Sequence, residues 1–207
     1  MATLPDLPTA MALLEEGHRR NPGPWMAHSI NVGAAARHIA ARLPGLDPER
    51  VYLLGLLHDI GRREGVTGMR HVYDGHRFLL DLGYADAARI ALTHSFPVKD
   101  IGAVFGAWDC TPAEVAELSS ALDAVTYTDE DRLLQLCDCL AIANGFCLLE
   151  KRLVDVVMRY GKAGFPAWVH VKWAAYFDLL HHFDRLLGHS VYDLLPGVEA
   201  ITFNRSV

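Results

Sequence analysis

The run Leu56-Leu57-His58-Asp59-Ile60-Gly61 closes an apolar stretch that begins at Val51 and has the character of a buried helix. An imidazole and a carboxylate stand side by side at its end. A buried charge costs several kcal/mol unless a partner neutralises it. Keeping Asp59 ionised there calls for a cation, and a divalent metal ion is the natural one. The plain alternative, a histidine and an aspartate satisfied by helix caps, is the better reading of such a pair in isolation. Other residues along the chain shift that balance.

Outward from this run, helix signals recur and strand signals do not. Thr9 is expected to cap a helix over residues 9–20, closed by Asn21-Pro22-Gly23-Pro24. A second helix begins near Trp25 or His28 and ends before Pro44-Gly45. Asp47-Pro48 combines an N-cap with proline at the first helical position, and Gly61 is expected to stop the helix that carries His58 and Asp59. Residues 74–82 and 86–94 read as helices ending at Gly83 and before Pro97. Thr111-Pro112-Ala113-Glu114 forms a capping box. Thr128 opens a helix with Leu133, Leu136, Cys137 and Leu140 at helical spacing, stopping at Asn144-Gly145. Further helices are expected over 148–160 and 166–188, and residues 96–110 read as an irregular loop. The expected fold class is all-α: a compact bundle of many helices.

The 207 residues suffice for a sizeable core. With 51 % hydrophobic and 21 % charged residues and a net charge of -6, the pattern is that of a soluble globular protein. An acidic balance speaks against a nucleic-acid polymer as partner, because that needs a concentrated basic face. A substrate phosphate would have to be met by a metal or by a few local arginines. Cys110, Cys137, Cys139 and Cys147 lack zinc-ribbon spacing and read as reduced core thiols. No signal peptide and no apolar run of about 20 residues is apparent. The expectation is a cytoplasmic protein without membrane contact.

Other positions give the pair its company. His28 opens its helix, His71 stands in His71-Val72-Tyr73-Asp74-Gly75, and His94 follows Ala91-Leu92-Thr93. Asp138 interrupts an apolar helix between two cysteines, and Arg62 and Arg63 follow Gly61 directly. The order His…His-Asp…His…His…Asp resembles the HD-domain superfamily of metal-dependent phosphohydrolases. More narrowly, it is similar to small bacterial proteins classed as predicted HD-superfamily hydrolases. Leu56 to Arg62, Arg70-His71 with Gly75, Ala91 to Phe96, and Asp131-Arg132-Leu133 leading to Leu136-Cys137-Asp138 all fall in the expected order. The resemblance covers roughly residues 25 to 145. It implies a single HD-type domain over 1–207, with the helices over 9–20 and 148–188 packed on that core.

The resemblance also implies that His28, His58, Asp59 and Asp138 ligate a first metal ion. Two imidazoles and two carboxylates suit Mn, Fe, Co, Ni or Mg and leave positions for water. His71 and His94 match the histidines that hold a second ion in two-metal members, bridged by the dyad aspartate; core packing is the alternative for His71. One or two divalent ions per chain are therefore expected. Many relatives carry lysine where this chain has Arg62. Arg62 and Arg63 could contact a substrate phosphate or be solvated charges at a helix end. Lys99, with Trp108, could form a substrate rim. Trp25 could wall the pocket or pack into the core, whereas His38, His76, His181 and His182 read as structural or surface residues.

These readings imply a phosphohydrolase acting on a small phosphate ester, a nucleotide or related molecule, with Asp59 and Arg62 as catalytic groups. The Gly-Tyr-Pro signature of relatives that cleave cyclic dinucleotides does not follow the dyad. Two rivals stand beside this expectation. One is a di-iron oxygenase cleaving a carbon–carbon or carbon–phosphorus bond on the same fold. The other is a metal-stabilised binding module without turnover, which six intact ligand positions disfavour. Trp173, Tyr176, Phe177, Leu180 and Phe183 recur at helical spacing and read as packing against the bundle, or alternatively as a homodimer face.

Overall fold

The computed structural model describes residues 3–161 and 164–203; the remainder of the expected 1–207 domain span lies outside the described residues. Helices dominate, in the order α1 (Leu7–Arg20), α2 (Trp25–Ala40), α3 (Pro48–Leu57), α4 (Arg70–Asp81), α5 (Ala85–Thr93), α6 (Pro112–Ala124) and α7 (Asp129–Leu140). A two-stranded hairpin follows, β1 (Ala141–Ile142) and β2 (Gly145–Phe146), then α8 (Leu149–Tyr160), α9 (Trp168–Leu187) and α10 (Val198–Thr202). The fold class is all-α, a compact helical bundle.

Local chemistry explains most boundaries. Asp47 caps α3 through Glu49 and Arg50 N–H, with Pro48 in the first turn. Thr111 and Glu114 form the expected capping box on α6, and Thr128 and Asp131 form a second one on α7. Four details differ from expectation. The cap of α1 is Asp6, whose Oδ1 accepts from Thr9 N–H, because Pro8 belongs to the first turn. The α4 helix starts at Arg70, a turn earlier than expected, and so carries His71 on regular helix. Asn144-Gly145 does not simply stop α7; Gly145, at φ +129°, turns the chain into the antiparallel hairpin. The short α10 and a 3-10 turn at Val191–Leu194 had no clear signal in the sequence.

Gly61 has a role other than the expected helix stop. The α3 helix ends at Leu57, and a 3-10 segment over Ile60–Glu64 carries Gly61 against α4. A Cβ at Gly61 would overlap the carbonyl of His71 and lie 2.5 Å from Gly75 N. Gly55 does the same for α2 and α3: a Cβ there would lie 2.5 Å from Gly33 Cα. These two backbone contacts bring the beginning of α2, the end of α3 and the beginning of α4 to one place. The main core, with Leu14, Val32, Leu54, Ile90, Leu136 and Phe183, packs around this junction. A smaller cluster, including Val72, Phe96 and Leu118, lies beneath the loop after α5.

Candidate metal centre

Six polar side chains converge where α2, α3, α4, α5 and α7 meet. His28 comes from the first turn of α2, and His58 is the C-cap of α3. Asp59 opens the 3-10 segment, His71 lies in the first turn of α4, His94 caps α5, and Asp138 lies on α7. His58, Asp59, His71 and His94 are all buried. The imidazoles form a chain, with centroid separations of 5.3 Å for His28–His58, 5.0 Å for His58–His94 and 5.7 Å for His71–His94.

Backbone carbonyls set the orientation of three rings. Nδ1 of His58 lies 2.7 Å from Gly55 O, Nδ1 of His71 2.6 Å from Gly68 O, and Nδ1 of His94 2.9 Å from Ala91 O. A carbonyl only accepts, so each Nδ1 carries a proton, and in the neutral ring Nε2 keeps its lone pair. Those lone pairs point inward. Nε2 of His71 is 3.3 Å and that of His94 3.8 Å from Asp59 Oδ1, and Nε2 of His58 is 3.6 Å from Asp138 Oδ1. His28 Nε2 lies 2.8 Å from the same Asp138 oxygen. Nε2 of His58 is buried without a hydrogen-bond partner. A buried ring nitrogen without such a partner among the described residues, beside two carboxylates, fits a cation site.

The protonation tendencies agree with that reading. Burial, together with the neighbouring Arg62 charge, pushes His71 down to about 3, and burial and His58 push His94 down to about 4. Burial also lowers His28. These rings are neutral at pH 7, the form that ligates metal. Burial opposes ionisation of Asp59, but Arg62 and His71 outweigh it, and the carboxyl sits well below the usual range. His28 and His58 do the same for Asp138 against its burial. His58 alone is raised: Asp138 and Asp59 overcome its burial, so the centre draws positive charge to itself. Among the described residues, two groups have donor atoms close enough to share an ion: His28, His58 and Asp138, and His58, Asp59 and His94, with His71 in neither.

The family profile described as HD domain matches residues 25–143. The chain belongs to the HD-domain family. Neither a curated protein nor a solved structure gives a significant match. HD domains are in general metal-dependent phosphohydrolases that bind divalent ions.

In this HD-domain chain the centre opens into a cavity of about 770 Å³. Arg62 lines it, with Nε 2.7 Å from Asp59 Oδ2 and Nη2 3.4 Å from His71 Nε2. Arg63 and Lys99, expected at the substrate, are elsewhere. Arg63 turns the other way along the 3-10 segment, is buried against the Phe78 ring and pairs with Glu16. Lys99 donates to the carbonyl of Val125 at the end of α6 and lies over the Tyr127 ring. Trp108 stacks on Phe96 rather than lining the cavity. Trp25 combines both of its readings: it is buried, with its indole N–H donating to Asn21 O, and its edge lines the cavity. His76 donates from Nδ1–H to Ala88 O, and His38 packs on Phe146, both as structural residues.

Other contributors were given no role from the sequence, although Asp131 lies in a stretch that carries the resemblance. Gln135 donates to the carbonyls of Thr93 and Phe96, at 3.1 Å each, and so holds the turn that presents His94. Asp131, fully buried, accepts from Thr93 Oγ1 at 2.9 Å and pairs with Arg89, tying α5 to α7. Arg152 and Lys172, from α8 and α9, line the cavity with Arg62. Charged residues on amphipathic helices look like a solvated face until the packing partner is known.

Proposed function

We propose that this chain is a metal-dependent phosphohydrolase acting on a small phosphate ester, a nucleotide or a related molecule. The observation that carries the reading is the set of three buried rings whose Nδ1–H is committed to a carbonyl. Their Nε2 atoms face two ionised carboxylates, with Arg62 Nη2 reaching that of His71. Among the described residues no hydrogen-bond partner completes His58 Nε2. Such a donor set fits a divalent ion of borderline hardness. His28, His58, Asp59 and Asp138 would hold the first ion, and His71 and His94, with Asp59, a second.

A divalent ion bound there supplies Lewis acidity, bringing the pKa of a water molecule from 15.7 toward about 7. The protein's own groups do the rest. Asp59 has a second carboxylate oxygen with which to accept a hydrogen bond from the attacking water and aim it. Arg62 offers a planar fork to the equatorial phosphoryl oxygens, where charge develops during transfer. The apolar wall formed by Trp25, Val104 and Trp173 limits water at the reacting centre. A cavity of about 770 Å³ has room for a small molecule. The free cysteines, three of them buried, suit a reducing compartment such as the cytoplasm.

A panel of nucleotides, p-nitrophenyl phosphate and bis-p-nitrophenyl phosphate, assayed with Mn, Co, Ni, Mg and Fe, tests this reading. Hydrolysis is expected with at least one metal. Asp59→Ala should reduce it by a factor of about 1,000 or more while the helical circular dichroism is kept. Dioxygen consumption coupled to turnover, with iron as the only active metal, would replace this reading with an oxygenase. Tight metal binding without turnover of any ester would leave a binding module.

A further inference from the structure

The family match ends at residue 143, yet the cavity continues onto α8 and α9. There the wall carries four cations, Lys151, Arg152, Arg159 and Lys172, facing a single carboxylate, Asp155. One oxygen of that carboxylate serves two guanidiniums. Asp155 Oδ2 lies 2.6 Å from Arg159 Nη2 and 3.4 Å from Arg152 Nη1. The closer arginine takes most of its capacity. The Arg152 side chain is only 17 % exposed, so water replaces few of the bonds its five N–H donors could make.

The two lysines hold neutral acceptors. Lys151 donates to the carbonyls of Ile201 and Thr202, and Lys172 to those of Ser95 and Ala103, at 2.8–3.1 Å. Carbonyls satisfy hydrogen bonds without cancelling charge, and each ammonium has a third N–H to offer. The concentration of charge is notable in a chain whose net charge is -6. It is also next to the metal centre. Ser95 directly follows His94, and Arg152 lines the same cavity as the proposed ligand Asp138.

We propose that α8 and α9 form an anion subsite, centred on Arg152 and Lys172, for a second phosphoryl group of the substrate. The inference rests on the phosphohydrolase reading and narrows it. The substrate would be an ester with two or more phosphoryl groups, one at the metal centre and Arg62, another on the α8–α9 wall. Several cations against one carboxylate match a multiply charged phosphoryl chain better than a single carboxylate group. A planar guanidinium binds phosphate oxygens in pairs.

The test uses the full chain without metal, in EDTA at physiological salt, titrated calorimetrically with inorganic tripolyphosphate and with inorganic phosphate. Tripolyphosphate should bind at least about tenfold more tightly than phosphate. Arg152→Met should weaken tripolyphosphate by about tenfold or more, the usual worth of a charge-assisted hydrogen bond, and Arg152→Lys should recover part of the loss. Arg159→Gln, at a half-exposed position where folding is safe, should weaken it in the same direction. Arg37→Gln, in an exposed pair with Glu49, should leave it unchanged. Equal affinity for the two anions, or wild-type affinity in both Arg152→Met and Arg159→Gln, overturns the subsite. Binding is read without metal and without turnover, so failure of the hydrolase reading is a separate result.

Discussion

Arg62 places its guanidinium between two of the proposed ligands, 2.7 Å from Asp59 Oδ2 and 3.4 Å from His71 Nε2. A positive charge there competes with an ion held by Asp59, His71 and His94, whereas nothing comparable stands between His28, His58 and Asp138. The two ions should therefore bind unequally. Titration of the metal-free chain with Mn should give one tight site and one weaker by about tenfold or more, the worth of a charge-assisted bond that must be broken first. Arg62→Met should narrow that gap, and two equal sites unaltered by the substitution would remove this role for Arg62. The six proposed ligands were legible as an ordered set because their order resembles that of the HD-domain superfamily. Arg62 and Arg63 were not separable in that way. They are neighbours in sequence, and only the tight 3-10 turn sends one into the cavity and the other onto Phe78. Lys99 misled for a related reason, since nothing local to it announces the carbonyls at the end of α6.

At the scale of elements, glycine-mediated approaches assemble the centre. Gly61 lets the Asp59 segment touch α4 beside His71, and Gly55 lets α3 touch α2 below His28 and His58. Gly61→Ala should destabilise the fold by about 3 kcal/mol or more, because backbone rather than a flexible side chain stands in the way of the methyl group. Urea denaturation measures the loss, and Mn titration of the folded fraction should show weaker binding. A variant as stable as wild type would show that α4 relaxes without cost. Helix ends were readable where a cap is local, as at Asp47, Thr111 and Thr128. The helix stop assigned to Gly61 was misplaced for a physical reason. The residue type that ends helices is also the one that admits a second backbone, and a linear pattern does not separate the two uses.

Across the whole molecule the proposed ligands span residues 28 to 138, so an unfolded chain does not present them together and the proposed metal binding belongs to the folded state. A metal ion at one hundred times its Kd should stabilise the fold by about 2.7 kcal/mol. For a chain of this size the shift in Tm is roughly 5–10 °C. Thermal melts in Mn and in EDTA check this, and coincident curves would count against a folded-state metal centre. Asp138→Asn should remove most of the shift. No helix among the described residues is long and apolar enough to cross a membrane. Local, short-range signals in the chain were enough for the all-α class and for most helix starts. Their energies act between neighbours a turn or two apart, where spacing is written directly into the chain. Which nitrogen of each ring faces inward, and which cations reach the cavity, followed from packing instead. Gly55, Gly68 and Ala91 supply carbonyls from the turn before each ring, but only the meeting of five helices aims the opposite nitrogens at one point. Arg152 and Lys172 likewise gain their meaning from α8 and α9 closing over His94 and Asp138, contacts between residues far apart in the chain.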